Sequence, residues 1–264
     1  MWTNIDHAIL ETWLRGPRLK IQRAKHHIDE VKTGVAKFFA ENPYRVVVEH
    51  NTGNHADKWP LSLVIRIREE IPEEFSAIIG DAAHNLRSAL DLLTCAMVRA
   101  NGGNDERVQF PIARNANSLE SAIANGNVKR AAPQFVQFVR SLNPYRGNGG
   151  NWALHTVHDL DILDKHKLVI AIGSIAQFSR VLTGLRNNST IATLPGYQWG
   201  RLENGTKLID IPAKTSFKID DEIGATFSIA FGKGQPADGL DVVPTLVSIT
   251  DYIEGVINRI SVTP

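Results

Sequence analysis

Two stretches of this sequence place charged and imidazole side chains inside patterns that predict buried helices. The first reads HNLRSALD at residues 84–91, and the second, residues 155–167, contains three histidines and three aspartates. Burial of such groups without partners is costly in free energy, so a fold that buries both helices must pair their polar groups. We therefore expect the two helices to pack side by side and to share one polar centre.

The first polar stretch lies on the longest predicted helix, from residue 72 to about residue 100. Pro72 and two acidic residues suit a helix start, and an Asn-Gly-Gly sequence ends the pattern. At about 100° per residue the helix has one apolar face and one polar stripe. The apolar face consists of Ile79, Ala82, Leu86, Ala89, Leu90, Leu93 and Met97. The polar stripe consists of Asp81, His84, Arg87, Ser88, Asp91 and Cys95.

The other patterns predict two further long helices and several strands. Apolar steps of three and four predict a helix from Pro17 to about residue 41 and a closing helix opened by Pro244. Residues 44–49 and 61–68 alternate as the strands of a hairpin with one face exposed to water. An Asn-Gly turn at residues 204–205 and the stretches 217–219 and 225–231 predict more strands.

Together these elements predict an α+β fold: a bundle of three to four long helices, an early β-hairpin and a small antiparallel sheet before a closing C-terminal helix. The helical part covers mainly residues 1–41, 72–170 and 242–262, and the β part mainly residues 44–70 and 171–241. Because the closing helix must bury its apolar stripe on the earlier helices, we expect residues 1–264 to form a single interlocked domain.

Composition and charge exclude several classes of protein. Hydrophobic residues make up 43% of the chain, enough for a core, and 29 Lys and Arg balance 28 Asp and Glu. This balance does not indicate nucleic acid or an anionic membrane as partner. The single cysteine excludes an internal disulfide and a thiolate zinc site. Neither a secretory signal nor an apolar run long enough for a bilayer is evident, so we expect a cytoplasmic protein.

Several motifs resemble those of a group of uncharacterised bacterial proteins that carry an NLRSALDxL helix and a later DKHR-like helix. The resemblance covers about residues 78–168 and rests on HNLRSALD at 84–91, FPI at 110–112, NPY at 143–145 and DILDKHK at 161–167. It implies membership of that group but no activity. The group has an arginine where this chain has Lys167, and a lysine cannot bind an anion in the bidentate manner of arginine.

Three imidazoles and a carboxylate share one arc of about 100° on the second polar helix. They are His155, His158, Asp159 and His166, with Lys165 at the edge of the arc. The first polar helix faces them with His84, Asn85, Arg87 and Asp91. The simplest interpretation is a hydrogen-bonded network that fixes helix packing, in which Arg87 pairs with Asp91 or Asp159.

Enzymatic interpretations of the same residues stay open. A divalent metal could be held by imidazoles and carboxylates from the set His84, Asp91, His155, His158 and Asp159. Without a metal, His84 or His158 could act as general base while Arg87 and Lys165 stabilise the charge on a phosphate. A Ser-His-Asp triad through Ser88 has the residue types but lacks a nucleophile elbow.

The glycine-rich loop RGNGGN at residues 146–151 lacks the strand, the lysine and the spacing of a phosphate-binding P-loop. We interpret it as a flexible connection. The HD dipeptide at residues 158–159 resembles the motif of the HD phosphohydrolases. Those enzymes need a second aspartate later in the chain, which here would have to come from a strand, a turn or the distant last helix.

The sequence thus favours a cytosolic binding or regulatory protein with a His/Asp/Arg polar centre between helices. A phosphoester hydrolase or ribonuclease-like enzyme, metal-dependent or metal-free, is the alternative. The expected partner is a small ligand or a protein, and a homo-oligomer is compatible with the sequence. No cofactor is predicted, although a divalent metal would fit the residue types.

Overall fold

The computed structural model describes residues 7–53, 56–169, 171–179, 202–211, 213 and 224–261, which adopt the predicted α+β fold. The helices are α1 (His7–Ala40), α2 (Glu73–Ala100), α3 (Leu119–Asn125), α4 (Pro133–Ser141), α5 (Trp152–His166) and α6 (Val242–Ser261). The strands are β1 (Tyr44–His50), β2 (Leu61–Ile67), β3 (Ala171–Ser179), β4 (Lys207–Ile211) and β5 (Gly224–Phe231). Among the described residues, no helix has the length and apolar character needed to cross a bilayer.

The chain folds into two compact units, each assembled from segments that are separated in sequence. The first unit consists of Met1–Val31, Ser76–Val169 and Val243–Pro264, and the second of Lys32–Phe75 and Ile170–Val242. The long helices α1 and α2 each contribute residues to both units. Our expectation of a single interlocked domain is not tested by this division and stays a prediction.

The second unit contains two antiparallel sheets. β1 pairs with β2 as the predicted hairpin, and β4 pairs with the other edge of β2, which makes β2 the central strand. β3 pairs with β5 in the other sheet. The prediction of one exposed face on β2 is wrong, because the four successive residues at 62–65 are all buried. The strand predicted at residues 217–219 lies outside the described residues.

The first unit is built around a large apolar core that its helices share. All seven residues of the predicted apolar face of α2 are at most 1% exposed. The predicted apolar stripe of α6 is fully buried as well and consists of Leu246, Ile249, Ile253, Val256, Ile257 and Ile260. All of these except Leu246 join residues of α1 and α2 in one cluster with Phe110 and Phe135. The closing helix therefore packs on earlier helices, as expected.

The start predicted for the first helix is wrong. We expected the helix to begin near Pro17, but α1 already includes His7, and Pro17 lies inside it. A proline in a helix interior removes one backbone hydrogen bond and crowds the preceding turn. Leu10 and Leu14 are buried in the core, so their burial offsets that cost and keeps the chain helical before the proline.

Candidate functional site

The polar faces of α2 and α5 lie against each other, as the sequence predicted. His84 Nδ1 of α2 lies 2.8 Å from Asp161 Oδ1 of α5. One turn earlier on α2, Gly80 contacts α5 so closely that an added Cβ would overlap the Asp164 carboxylate. Because residue numbers fall along α5 as they rise along α2, the two helices are antiparallel.

Local sequence signals set the start of α5. The Asn151 side chain accepts a hydrogen bond from the Leu154 N–H at 3.1 Å, which satisfies one of the free donors at the helix start. His155, His158 and Asp161 follow at helical steps of three, which places them along one side of α5.

Arg87 and Asp91 hold the backbone of Phe110. Arg87 Nη2 donates to the Phe110 carbonyl at 2.8 Å, and the Phe110 N–H donates to Asp91 Oδ1 at 2.7 Å. Arg87 Nη1 also lies 3.0 Å from Asp91 Oδ1, an ion pair without hydrogen-bond alignment. The predicted Arg87–Asp91 pair is therefore confirmed. Burial raises the pKa of Asp91, and the Arg87 charge opposes that shift.

Asp159 has a different partner from the one considered for it. It pairs with Arg146 of the loop before α5, so the alternative of an Arg87–Asp159 pair is wrong. His155 Nδ1 lies 3.8 Å from Asp159 Oδ2. Burial lowers the pKa of His155, and the Asp159 charge opposes the shift. These contacts attach the loop to the side of α5.

Backbone hydrogen bonds join the loop at residues 146–151 to itself and to two neighbouring segments. Its N–H groups donate to carbonyls from Arg146 to Ala113, from Gly150 to Gly147 and from Asn151 to Asn143, at 2.8–3.2 Å. Gly147 has a φ of 96°, a backbone conformation that glycine adopts without strain. The interpretation of this loop as a flexible connection is not tested by these contacts and stays a prediction.

The remaining polar residues form a hydrogen-bonded chain that begins in the interior and ends at solvent. Asp161 accepts from Lys165 Nζ at 2.6 Å through Oδ2, while Oδ1 contacts the His84 ring. The other ring nitrogen, His84 Nε2, lies 3.4 Å from Ser88 Oγ. The Asp161 side chain is 3% exposed, whereas that of His84 is 48% exposed. A buried carboxylate therefore orients a half-exposed imidazole.

Asp161 was missing from our candidate residues. We had placed the functional face of α5 on the arc of His155 and Asp159, and Asp161 lies about 200° around the helix from Asp159. One signal in the sequence could have identified it: Lys165 follows four residues later, the spacing of a helical ion pair.

Two other candidates lie at the margin of the network. The Asn85 side chain donates to the Asp81 carbonyl at 2.8 Å and accepts from Lys20 Nζ at 3.2 Å, so it links α2 to α1. His166, in the last turn of α5, is exposed, and no hydrogen bond or ion pair joins it to the network within the described residues.

His158 is half-buried near Arg87. Its Nδ1 is buried and has no hydrogen-bond partner among the described residues. Burial lowers the pKa of His158, and the positive charge of Arg87 lowers it further. Both influences favour the neutral ring.

We expect His155 and His158 to contribute a loss of stability as the pH falls from about 7 to about 5. The folded-state pKa values of His155 and His158 lie below the ordinary 6.5, so the unfolded chain takes up protons first. The stabilisation that the neutral rings provide is complete above pH 6.5 and declines below it. Urea unfolding across this range measures the slope, and His158→Asn should flatten it. An identical slope in the variant would contradict this assignment.

The candidate metal ligands do not gather at one point. Asp91 contacts Arg87, Asp159 contacts Arg146 and His84 contacts Asp161, a residue outside the predicted set. In the part of the chain that the structure describes, no group of three or more His, Cys, Asp or Glu is placed to hold a metal ion. The metal-dependent interpretation therefore has no ligand cluster there to support it.

Comparisons with known proteins supply no function for these residues. The two motif-bearing helices that suggested a bacterial group are α2 and α5, which together carry the polar network. Searches with the whole chain find no matching protein-family model, no matching curated protein and no matching solved structure.

Proposed function

We propose that this chain is a cytosolic binding or regulatory protein, of the bacterial group that its motifs resemble, with its binding site at the exposed end of the α2–α5 network. One observation carries the proposal: Asp161, almost fully buried, holds the half-exposed ring of His84 in a fixed orientation. A buried carboxylate is costly unless it is paired, and His84 and Lys165 both pair with it.

Three other candidate residues, Arg87, Asp91 and Asp159, support this location because they are occupied elsewhere. Arg87 and Asp91 hold the backbone of Phe110, and Asp159 holds Arg146. The groups that remain accessible are the His84 ring, the Ser88 hydroxyl and the Lys165 ammonium, which is 53% exposed.

These accessible groups define the chemistry of the ligand. A Lys ammonium and a serine hydroxyl both donate hydrogen bonds, and Lys165 also carries a positive charge. The ligand is therefore a small molecule, or a group on a partner protein, that presents hydrogen-bond acceptors such as carboxylate or phosphate oxygens. The partner protein can be a second copy of this chain.

An NMR titration tests the binding site. Histidine-ring signals of the full chain, assigned with His84→Gln, are followed while inorganic phosphate or acetate is added. The His84 signals should shift in a saturable manner, and Lys165→Met should weaken the response at least about tenfold, because a charge-assisted hydrogen bond is lost. His166, exposed and outside the network, is the internal control. Equal shifts at His84 and His166, or none at His84, would overturn the proposal.

A second candidate function is a metal-free phosphoester hydrolase or ribonuclease-like enzyme. The Asp161–His84 pair favours it, since a carboxylate-oriented imidazole is a suitable general base. Lys165 can stabilise charge on a phosphate, whereas Arg87 cannot, because its buried guanidinium is bound to the Phe110 carbonyl. Turnover of a phosphodiester in the presence of EDTA, lost in His84→Gln, would support this function, and equal turnover in the variant would contradict it.

His158 gives a separate test of the structural part of the network. We expect His158→Ala to lower the free energy of unfolding by about 1 kcal/mol, because its half-buried ring is removed from the interior. We also expect no stoichiometric zinc, manganese or iron in protein purified without chelator or nickel. Urea unfolding and elemental analysis measure the two quantities. One equivalent of metal that is lost in a folded His158→Ala variant would instead favour a metallohydrolase.

A further inference from the structure

We propose that Ser88 is a nucleophile activated by His84 and Asp161, and that the site hydrolyses carboxylic esters or similarly activated acyl compounds. This inference goes beyond ligand binding because it assigns a covalent step to the accessible end of the network. It rests on two contacts on opposite sides of one ring: Asp161 at Nδ1 and Ser88 at Nε2.

The Asp161 contact determines which ring nitrogen is available as a base. An ionised carboxylate only accepts hydrogen bonds, so His84 must carry its proton on Nδ1 to donate to Asp161 Oδ1 at 2.8 Å. In the neutral ring Nε2 is then unprotonated and can accept the Ser88 proton. This is the arrangement of roles in a Ser-His-Asp triad, which recurs on unrelated folds.

The Ser88–His84 separation of 3.4 Å is long for a hydrogen bond but suits a site without substrate. Catalytic hydrogen bonds are often loose in unliganded enzymes and shorten when substrate binds. The two residues lie four apart on α2, so the helix itself places the hydroxyl beside the ring.

The helix also performs two tasks of the nucleophile elbow that the sequence lacks. The elbow serves to expose a serine hydroxyl and to set it beside its base. On α2 the polar stripe performs both tasks, since Ser88 is partly exposed and His84 is about half exposed. Asp161 reaches the ring from the antiparallel helix α5 and remains buried. The triad is therefore assembled from two helices.

The reaction balances with water as the only co-reactant. Ser88 Oγ attacks the carbonyl carbon while its proton moves to His84 Nε2, and the C–O bond to the alcohol breaks as Nε2 returns that proton to the leaving oxygen. Water then attacks the acyl-serine, gives a proton to Nε2, and Ser88 Oγ recovers it as the acid departs. Asp161 stays ionised throughout and stabilises the imidazolium.

A covalent probe tests the assignment directly. The full chain is incubated with an alkyl fluorophosphonate, and the modified peptide is identified by mass spectrometry. We expect modification at Ser88, and we expect His84→Gln to slow it at least about 100-fold, the lower end of general-base contributions. Hydrolysis of p-nitrophenyl acetate should fall in parallel in Ser88→Ala.

The controls separate activation from mere exposure. Ser141, an exposed serine on α4 whose hydroxyl contacts the Phe138 carbonyl, is the matched site and should remain unmodified. His84→Gln changes a half-exposed side chain, and circular dichroism verifies that it folds. An unmodified Ser88 at millimolar probe, equal modification of Ser141, or labelling unaffected by His84→Gln would each overturn the proposal. A saturable phosphate response at His84 in wild-type protein whose Ser88 resists the probe would leave the binding function intact while the triad fails.

Discussion

Replacing Arg87 with alanine should lower the free energy of unfolding by about 3 kcal/mol or more. The Arg87 side chain is 7% exposed, and its guanidinium contacts two groups at once, the Asp91 carboxylate and the Phe110 carbonyl. Its removal leaves a partly buried carboxylate without its charge partner and a buried carbonyl without a donor. Breaking a buried pair in this way costs far more than losing a surface contact.

Urea unfolding of the variant measures this loss, and Arg140→Ala is the matched control. Arg140 makes a two-bond ion pair with Glu120 at the surface of the same unit, so its loss should leave the unfolding midpoint nearly unchanged. If Arg87→Ala and Arg140→Ala unfold at the same urea concentration, the Phe110 segment is held by its apolar contacts alone.

Gly150→Ala should destabilise the protein by about 1–3 kcal/mol, the usual cost of forcing an extra methyl group into a packed site. An added Cβ at Gly150 would overlap the Tyr145 carbonyl, which belongs to the backbone and cannot rotate away. The loop would have to shift, and it carries Arg146, the partner of Asp159.

The control for this substitution is Gly255→Ala in α6. There an added Cβ meets no atom within 4 Å apart from its own helix turn, and alanine in a helix interior is favoured over glycine. We therefore expect thermal melts to shift in opposite directions for the two variants. A Gly150→Ala variant as stable as the wild type would mean that the loop tolerates rearrangement and does not fix Arg146.

Features encoded by consecutive residues were predictable. The limits of α2, its buried face, the β1–β2 hairpin and the stripe of α6 all follow from periodicity and from start and stop signals within one segment. The packing of α2 against α5 was also predictable, because a polar face inside a core requires a polar partner.

Polar partners within one helix, such as Arg87 and Asp91, were predictable, whereas partners from other segments were not, for a physical reason. His84 and Asp161 are separated by 77 residues, and Arg87 binds a backbone carbonyl whose position no local pattern reports. Helical spacing tells which residues share a face, but the crossing of two helices decides which of them touch. Asp161 was missed and His166 was included for this reason.

The sequence by itself determined the α+β fold class, the main helices and strands, and the two helices that carry the polar groups. Only the tertiary structure decided that α1 continues through Pro17, that β2 is buried at four successive residues, and that a carboxylate from α5 orients His84. In each case, contacts from segments distant in sequence outweigh or supplement the local preference, because burial and pairing energies depend on neighbours that the local sequence does not contain.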